Sequence, residues 1–178
     1  MQVIEQDVTS IAGSHSGPPP ASGPPVVRIR CQALEKDGFV TKHPNLQVIE
    51  DFFGAYAAKD VARVREALAP DIVWRIPGHH PLAGEKRGVD EVLAFFDQLA
   101  RASFQAKPIV VVADGDYVID HHRGWSEVAG GVDMTWCLVF RFEGGRIKEV
   151  TNFAADQHKA DLFFWSVYRL KPIPDRLA

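Results

Sequence analysis

Asp120, His121, His122 and Arg123 stand consecutively between the apolar triplet Tyr117-Val118-Ile119 and Gly124-Trp125. In an extended strand successive side chains alternate between faces, so Asp120 and His122 share one face, His121 and Arg123 the other. A buried carboxylate beside an imidazole holds the ring in one tautomer and raises its basicity, which proton transfer near neutral pH requires. With Asp120 and His122 inward, the two form a general acid–base pair on a pocket wall. With His121 and Arg123 inward, or with the cluster on a solvated or dimer-facing surface, no such pair exists, and polar strand residues commonly decorate the open side of a sheet.

Further candidates are single residues. Asn152 can donate its amide to a substrate oxygen or satisfy local backbone. Tyr56 and Trp74 each carry an apolar body with a polar tip that needs a partner when buried. Phe95 and Trp136 can line a cavity or simply pack a core. His79 and His80 sit in the loop PGHHPLAG, where His80 can reach a pocket mouth. Two adjacent histidines chelate a metal poorly, and no HxxxH or HExxH spacing is present, so no metal site is expected. Phosphate loops, dinucleotide fingerprints and nucleophile elbows are likewise missing, and no cofactor is expected.

The elements that must hold these residues follow from hydrophobic period. Leu46, Ile49, Phe52, Phe53 and Tyr56 recur at helical spacing with Asn45 placed to cap. Asp60 starts a second helix carrying Val61, Val64, Ala67 and Leu68, closed by Pro70-Asp71. A short strand over 72–76 and the loop 77–84 precede a third helix over 89–101. Beyond Pro108 the period shifts toward two, with strands over 109–113, 117–128, 133–142 and 146–154 separated by Asp- and Gly-rich turns. Asp156 is placed to cap a helix in HKADLFFW. Three helices followed by an antiparallel meander describe an α+β domain, its helices packed on a strongly curved, mostly antiparallel sheet that encloses a pocket.

The 178 residues hold 20 Lys and Arg against 23 Asp and Glu, a formal charge of -3 that offers no clustered basic surface for nucleic acid. No apolar run approaches the roughly 20 residues that span a bilayer, and the N-terminus lacks the pattern of a signal peptide. Cys31 and Cys137 are two lone cysteines without a CxxC partner. A cytoplasmic, globular protein that binds neither nucleic acid nor membrane is expected. Five of the 12 prolines fall in GPPPASGPP, so residues 1–44 read as an N-terminal arm. Within it Val26 to Cys31 has strand-like composition. Residues 45–169 then form the domain and 170–178 a short tail.

The stretches FFGAYAAKDVARVREALAPDIVWRIPGHHPLAG, KRGVDEVLAFF and VFRFEGGRIKEVTNFAADQHKADLFFW together resemble the SnoaL-like polyketide-cyclase and ketosteroid-isomerase-related branch of the nuclear transport factor two-like superfamily. The resemblance implies a cone-shaped α+β barrel and a cofactor-independent cyclase, isomerase or dehydratase of secondary metabolism. Its substrate would be a small, apolar, oxygenated molecule. In such cyclases a catalytic Asp occupies the region of Asp156. The Asp base of ketosteroid isomerase falls near Ile76 and its Tyr near Phe52, and neither residue can do that work. Limonene-type epoxide hydrolases carry Arg-x-Asp where this chain has Asp120-x-His122, with a further Asp near Asn152, so epoxide opening needs a second pocket acid, for which Asp156 is the candidate. The third possibility is a non-catalytic binding or assembly module. The resemblance also implies a homodimer packed through the sheet, and the apolar face bearing Cys137 and Val139 suits one.

Overall fold

Alternation and helical period are both realised in a computed structural model that describes residues 43–168. The arm (1–44) therefore lies outside the described residues except for its last two positions, as do Cys31 and the tail (170–178). Helices α1 (Pro44–Ala57), α2 (Val61–Ala67) and α3 (Gly88–Ala100) pack with a six-stranded sheet, and α4 (Gln157–Val167) follows the last strand. The strands are β1 (Leu68–Ile76), β2 (Gly84–Arg87), β3 (Gln105–Asp114), β4 (Tyr117–Ser126), β5 (Val132–Glu143) and β6 (Arg146–Ala154), in the order β2-β1-β6-β5-β4-β3. The sheet is curved, unclosed and mixed: β1 runs parallel to β6, and the other neighbours are antiparallel.

Four local departures from the sequence expectations have physical reasons. His43, not Asn45, caps α1, accepting the Asn45 amide on Nδ1 at 3.3 Å, with Pro44 in the first turn. Asn45 is buried and donates to the Gly115 carbonyl at 3.3 Å, tying α1 to the β3–β4 turn. Strand β1 begins at Leu68 rather than residue 72, and Pro70 lies where its register with β6 shifts, so the missing N–H leaves no gap in the ladder. Pro108 is tolerated in β3 for the same reason, at a register shift on an edge strand. The unexpected β2 is the charged segment Gly-Glu-Lys-Arg, whose composition is that of a protected edge. The helix read in HKADLFFW is present as α4, and it carries Phe163 and Phe164 into the core.

The core lies between the concave sheet face and the helices. Ile49 and Phe52 of α1 and Val92, Phe95 and Phe96 of α3 pack with Trp74, Phe140 and Val150 of the sheet. Burying each large side chain contributes about 1.5–3 kcal/mol. Trp74 meets Phe96 and Phe140 edge-on, with ring centroids 5.1 and 6.1 Å apart. These rings leave the space that becomes the pocket.

Candidate active site

Strand β4 carries the candidate pair, and its alternation is unambiguous. Val118, Asp120, His122, Gly124 and Ser126 are buried, while Tyr117, Ile119 and Arg123 are exposed and His121 and Trp125 partly so. Of the two possible registers, the structure adopts the one that turns Asp120 and His122 inward. On the outer face Arg123 pairs with Asp133 and lies over the Trp125 ring, 4.9 Å from its centroid. His121 Nδ1 sits 3.1 Å from the Trp136 carbonyl.

Asp120 and His122 are 3% and 7% exposed, and both line a cavity of about 150 Å³. Carboxylate Oδ2 lies 2.9 Å from His122 Nδ1. The ring N–H is not aimed along that line, so the contact is a close charge–dipole approach rather than an aligned hydrogen bond. Off-line geometry of this kind is common in ligand-free sites and tightens in the substrate complex. With Nδ1 turned to the carboxylate, Nε2 is the nitrogen available for chemistry. Carboxylate Oδ1 is buried and has no hydrogen-bond partner among the described residues.

Another part of the same wall is set by a contact between residues 78 positions apart. Trp74 Nε1 donates to Asn152 Oδ1 at 2.7 Å. An indole nitrogen only donates, so the atom facing it must be the amide oxygen, and the Asn152 NH₂ is left as the donor. Asn152 therefore stands in the cavity wall as a hydrogen-bond donor. Trp74, by contrast, has spent its N–H and offers a substrate only its ring face. Asp120 pairs with Leu138 and Leu138 with Asn152, so acid and amide occupy one row across three strands.

The remaining candidates fall on either side of the cavity boundary. Tyr56 lines it, 37% exposed and edge-on to Phe96, and burial raises its hydroxyl pKa, keeping it protonated as a donor. Phe95 and Trp136 also line it. His80 does too, but its ring is already engaged: it stacks on Phe164 at 4.5 Å, and Nδ1 accepts the Leu82 amide at 3.2 Å. Asp156 is not in the site. It is exposed and accepts the Lys159 amide at 3.0 Å as the N-cap of α4, so its carboxylate is used by the helix. Without it, Asp120 is the one carboxylate among the described residues that line the cavity, and the second acid that epoxide opening needs is missing there. Phe153 also lines the cavity, although its side chain alternates outward and is 50% exposed.

Gly124 was not among the sequence candidates, yet it shapes the site. A Cβ there would lie 2.5 Å from both Phe104 Cε1 and Trp136 Cδ1. The absent side chain lets these rings lie against β4 beside His122, with Trp136 Nε1 donating to the Gly124 carbonyl at 3.4 Å. A glycine two residues after His122 on the same strand face was the available signal. The loop between β1 and β2 is fastened to α4: Asp161 accepts the His79 amide at 3.1 Å, and Trp165 Nε1 donates to the His79 carbonyl at 2.9 Å.

His80 makes stability pH-dependent. Burial lowers its pKa, with the charge of Asp161 opposing, so the folded protein holds the ring neutral. The unfolded chain binds a proton near pH 6.5 that the folded one refuses, so this contribution is full above that pH and is lost as pH falls. The melting temperature is expected to drop between pH 7.5 and 5.5, and by less in His80→Gln; equal drops in both proteins would remove His80 as the cause.

Among the described residues no three His, Cys, Asp or Glu side chains cluster to hold a metal, and no helix is long and apolar enough to cross a membrane. A family model described as a SnoaL-like domain matches residues 49–150. The chain belongs to the SnoaL-like domain family. This SnoaL-like protein is 28% identical over 130 residues to an uncharacterized protein of Mycobacterium tuberculosis, covering 70% of this chain and 99% of that relative. Bal32a, from a soil-derived mobile gene cassette, has the same fold with a TM-score of 0.64 and 25% identity, over 68% of this chain and 96% of that one. IdmH of Streptomyces antibioticus, a proposed polyketide cyclase, shares the fold of the SnoaL-like domain with a TM-score of 0.55 and 19% identity, over 67% and 99% of the two chains.

Proposed function

We propose that this SnoaL-like protein is a cofactor-independent enzyme that moves a proton on a small, mostly apolar, oxygenated molecule, as in cyclisation, isomerisation or dehydration. The observation that carries the reading is the buried Asp120–His122 pair, 2.9 Å apart on the wall of an aromatic cavity. A catalytically silent module has no need of a buried carboxylate–imidazole pair in a mostly aromatic and aliphatic wall, since burying ionisable groups costs stability. Kinship with a proposed polyketide cyclase supports the same class of chemistry.

In this mechanism His122 Nε2 takes a proton from the carbon beside a substrate carbonyl. The C–H electron pair moves into the enolate, whose oxygen receives the Asn152 amide N–H. Asp120 stabilises the imidazolium so formed. The proton then returns at another carbon, completes a ring closure at a second carbonyl, or leaves with a hydroxyl as water. The test needs no knowledge of the natural substrate. Small enolisable ketones such as 1-indanone and 2-tetralone, incubated with the protein in D₂O, are expected to gain deuterium at the α-carbon faster than in buffer. Exchange at the buffer rate across such a panel would count against the reading.

The proposal extends to assembly as a homodimer through the convex sheet face. Val110 and Val112 of β3 pair with His121 and Ile119 of β4, which continue to Cys137 and Val139 of β5. Val110, Val112, Ile119 and Phe153 are 49%, 49%, 41% and 50% exposed. Charged pairs bound this patch, Arg141–Glu149 on one side and Arg123–Asp133 on the other. An apolar centre with a paired polar rim suits contact with its own copy about a two-fold axis. Sedimentation is expected to give a dimer for the wild type and a monomer for Val112→Lys/Ile119→Lys; a wild-type monomer at micromolar concentration would remove the assembly.

A further inference from the structure

The two oxygens of Asp120 have different surroundings. Oδ2 faces His122, whereas Oδ1 is buried with no hydrogen-bond partner among the described residues, in a side chain only 4% exposed. An unpartnered buried carboxylate oxygen is unfavourable unless something donates to it. Among the described residues lining the cavity none is a lysine or arginine, so no fixed positive charge there offsets an anionic ligand. The next polar group along the row, Asn152, is a donor and faces the cavity from two strands away. Two strand spacings put the Cα atoms of Asp120 and Asn152 roughly 10 Å apart, and inward side chains shorten the gap to about the width of a small ring system. The cavity volume of about 150 Å³ is of the size that holds one ring, with a second fused ring toward the mouth.

We infer that the site selects an uncharged ligand of one or two rings whose hydroxyl donates to Asp120 Oδ1 and whose carbonyl or ether oxygen accepts from Asn152, and that it rejects carboxylates and phosphates. This deepens the proton-transfer reading and rests on it only in using the same cavity. It gives Asp120 a second role, recognition through Oδ1, beside the support of His122 through Oδ2. A hydroxyl meeting a desolvated carboxylate makes a charge-assisted hydrogen bond, stronger than one between neutral groups. A carboxylate in the same place meets like charge with no solvent to screen it.

The polarity is tested by binding rather than turnover, with 2-naphthol, naphthalene and 2-naphthoate titrated at neutral pH and followed by tryptophan fluorescence, since Trp74 and Trp136 line the cavity. For the wild type, 2-naphthol is expected to bind roughly tenfold or more tighter than naphthalene, and 2-naphthoate more weakly than either. Asp120→Leu should bring 2-naphthol down to the level of naphthalene while naphthalene binding persists, which also reports an intact cavity. Asp120→Asn should let 2-naphthoate bind. The 2-naphthol preference should survive in His122→Ala, because its anchor is Oδ1. Equal binding of 2-naphthol and naphthalene, preferential binding of 2-naphthoate, or no binding of any of the three would overturn the inference. Each of those results leaves the deuterium-exchange test free to succeed, so the two readings fail separately.

Discussion

Replacing His122 with alanine is expected to slow α-deuterium exchange by roughly 10²–10⁴-fold, the range that a positioned general base contributes. The ring is nine-tenths buried and its Nδ1 is turned to Asp120, so no neighbour can take over the proton that Nε2 would accept. His80, the other imidazole lining the cavity, already accepts the Leu82 amide and stacks on Phe164. Asp120→Asn separates orientation from charge. The carboxamide is nearly isosteric and can still face Nδ1, but it does not stabilise an imidazolium, so exchange should fall while the fold persists. The two substitutions should also be non-additive, because residues that act as a unit lose most of their effect at the first deletion. A double variant slowed by the product of the single effects would mean that Asp120 and His122 work independently. A His122→Ala protein exchanging at the wild-type rate would remove the histidine from the mechanism altogether.

How legible this site was in the sequence differs residue by residue. The fold class was readable from period alone, since α1, α3 and the β3–β6 meander carry strong apolar repeats. The Asp120–His122 pair was visible as polar residues two apart in an apolar strand. The inward face was not decidable there, because His121 and Arg123 are equally polar and both faces carry large apolar residues. The choice depends on which face Leu138 and Phe140 of β5 cover, a matter of tertiary packing. The parallel β1–β6 pairing joins segments more than 70 residues apart, and local pattern carries no signal for such a pairing. Strand β2 was hidden because its charges, which protect an edge, are also those of a loop. Asp156 was readable as a cap from its place before HKADLFFW, and the cap is where its carboxylate is used. The Trp74–Asn152 contact had no local signature at all, although each residue separately was marked by a polar group that needed a partner.

That contact supports the second large effect. Asn152→Leu is expected to do two kinds of damage through one side chain. It removes the donor that faces the enolate oxygen, and loss of one such donor typically slows turnover by about 10²–10³-fold. It also strands the Trp74 N–H, 3% exposed among Phe52, Phe95, Phe96 and Phe140, where an unmet donor costs about 1–3 kcal/mol. For a domain of this size the melting temperature should fall on the order of 5 °C. Asn152→Asp divides the two effects. Its carboxylate still accepts the Trp74 indole, so the N–H stays satisfied, but it offers no donor to the cavity and adds a negative charge in the same row as Asp120. Exchange should therefore fall at least as far as in the leucine variant, although the tryptophan keeps its partner. An Asn152→Asp protein that exchanged deuterium at the wild-type rate would show that the amide holds Trp74 in place and nothing more. A Leu variant that lost neither rate nor melting temperature would remove both roles. If instead rate is lost in both variants and the indole's hydrogen bond only in the leucine one, the same amide is fixed by the tryptophan and used by the substrate, and the rigidity of the aromatic wall is what aims the donor.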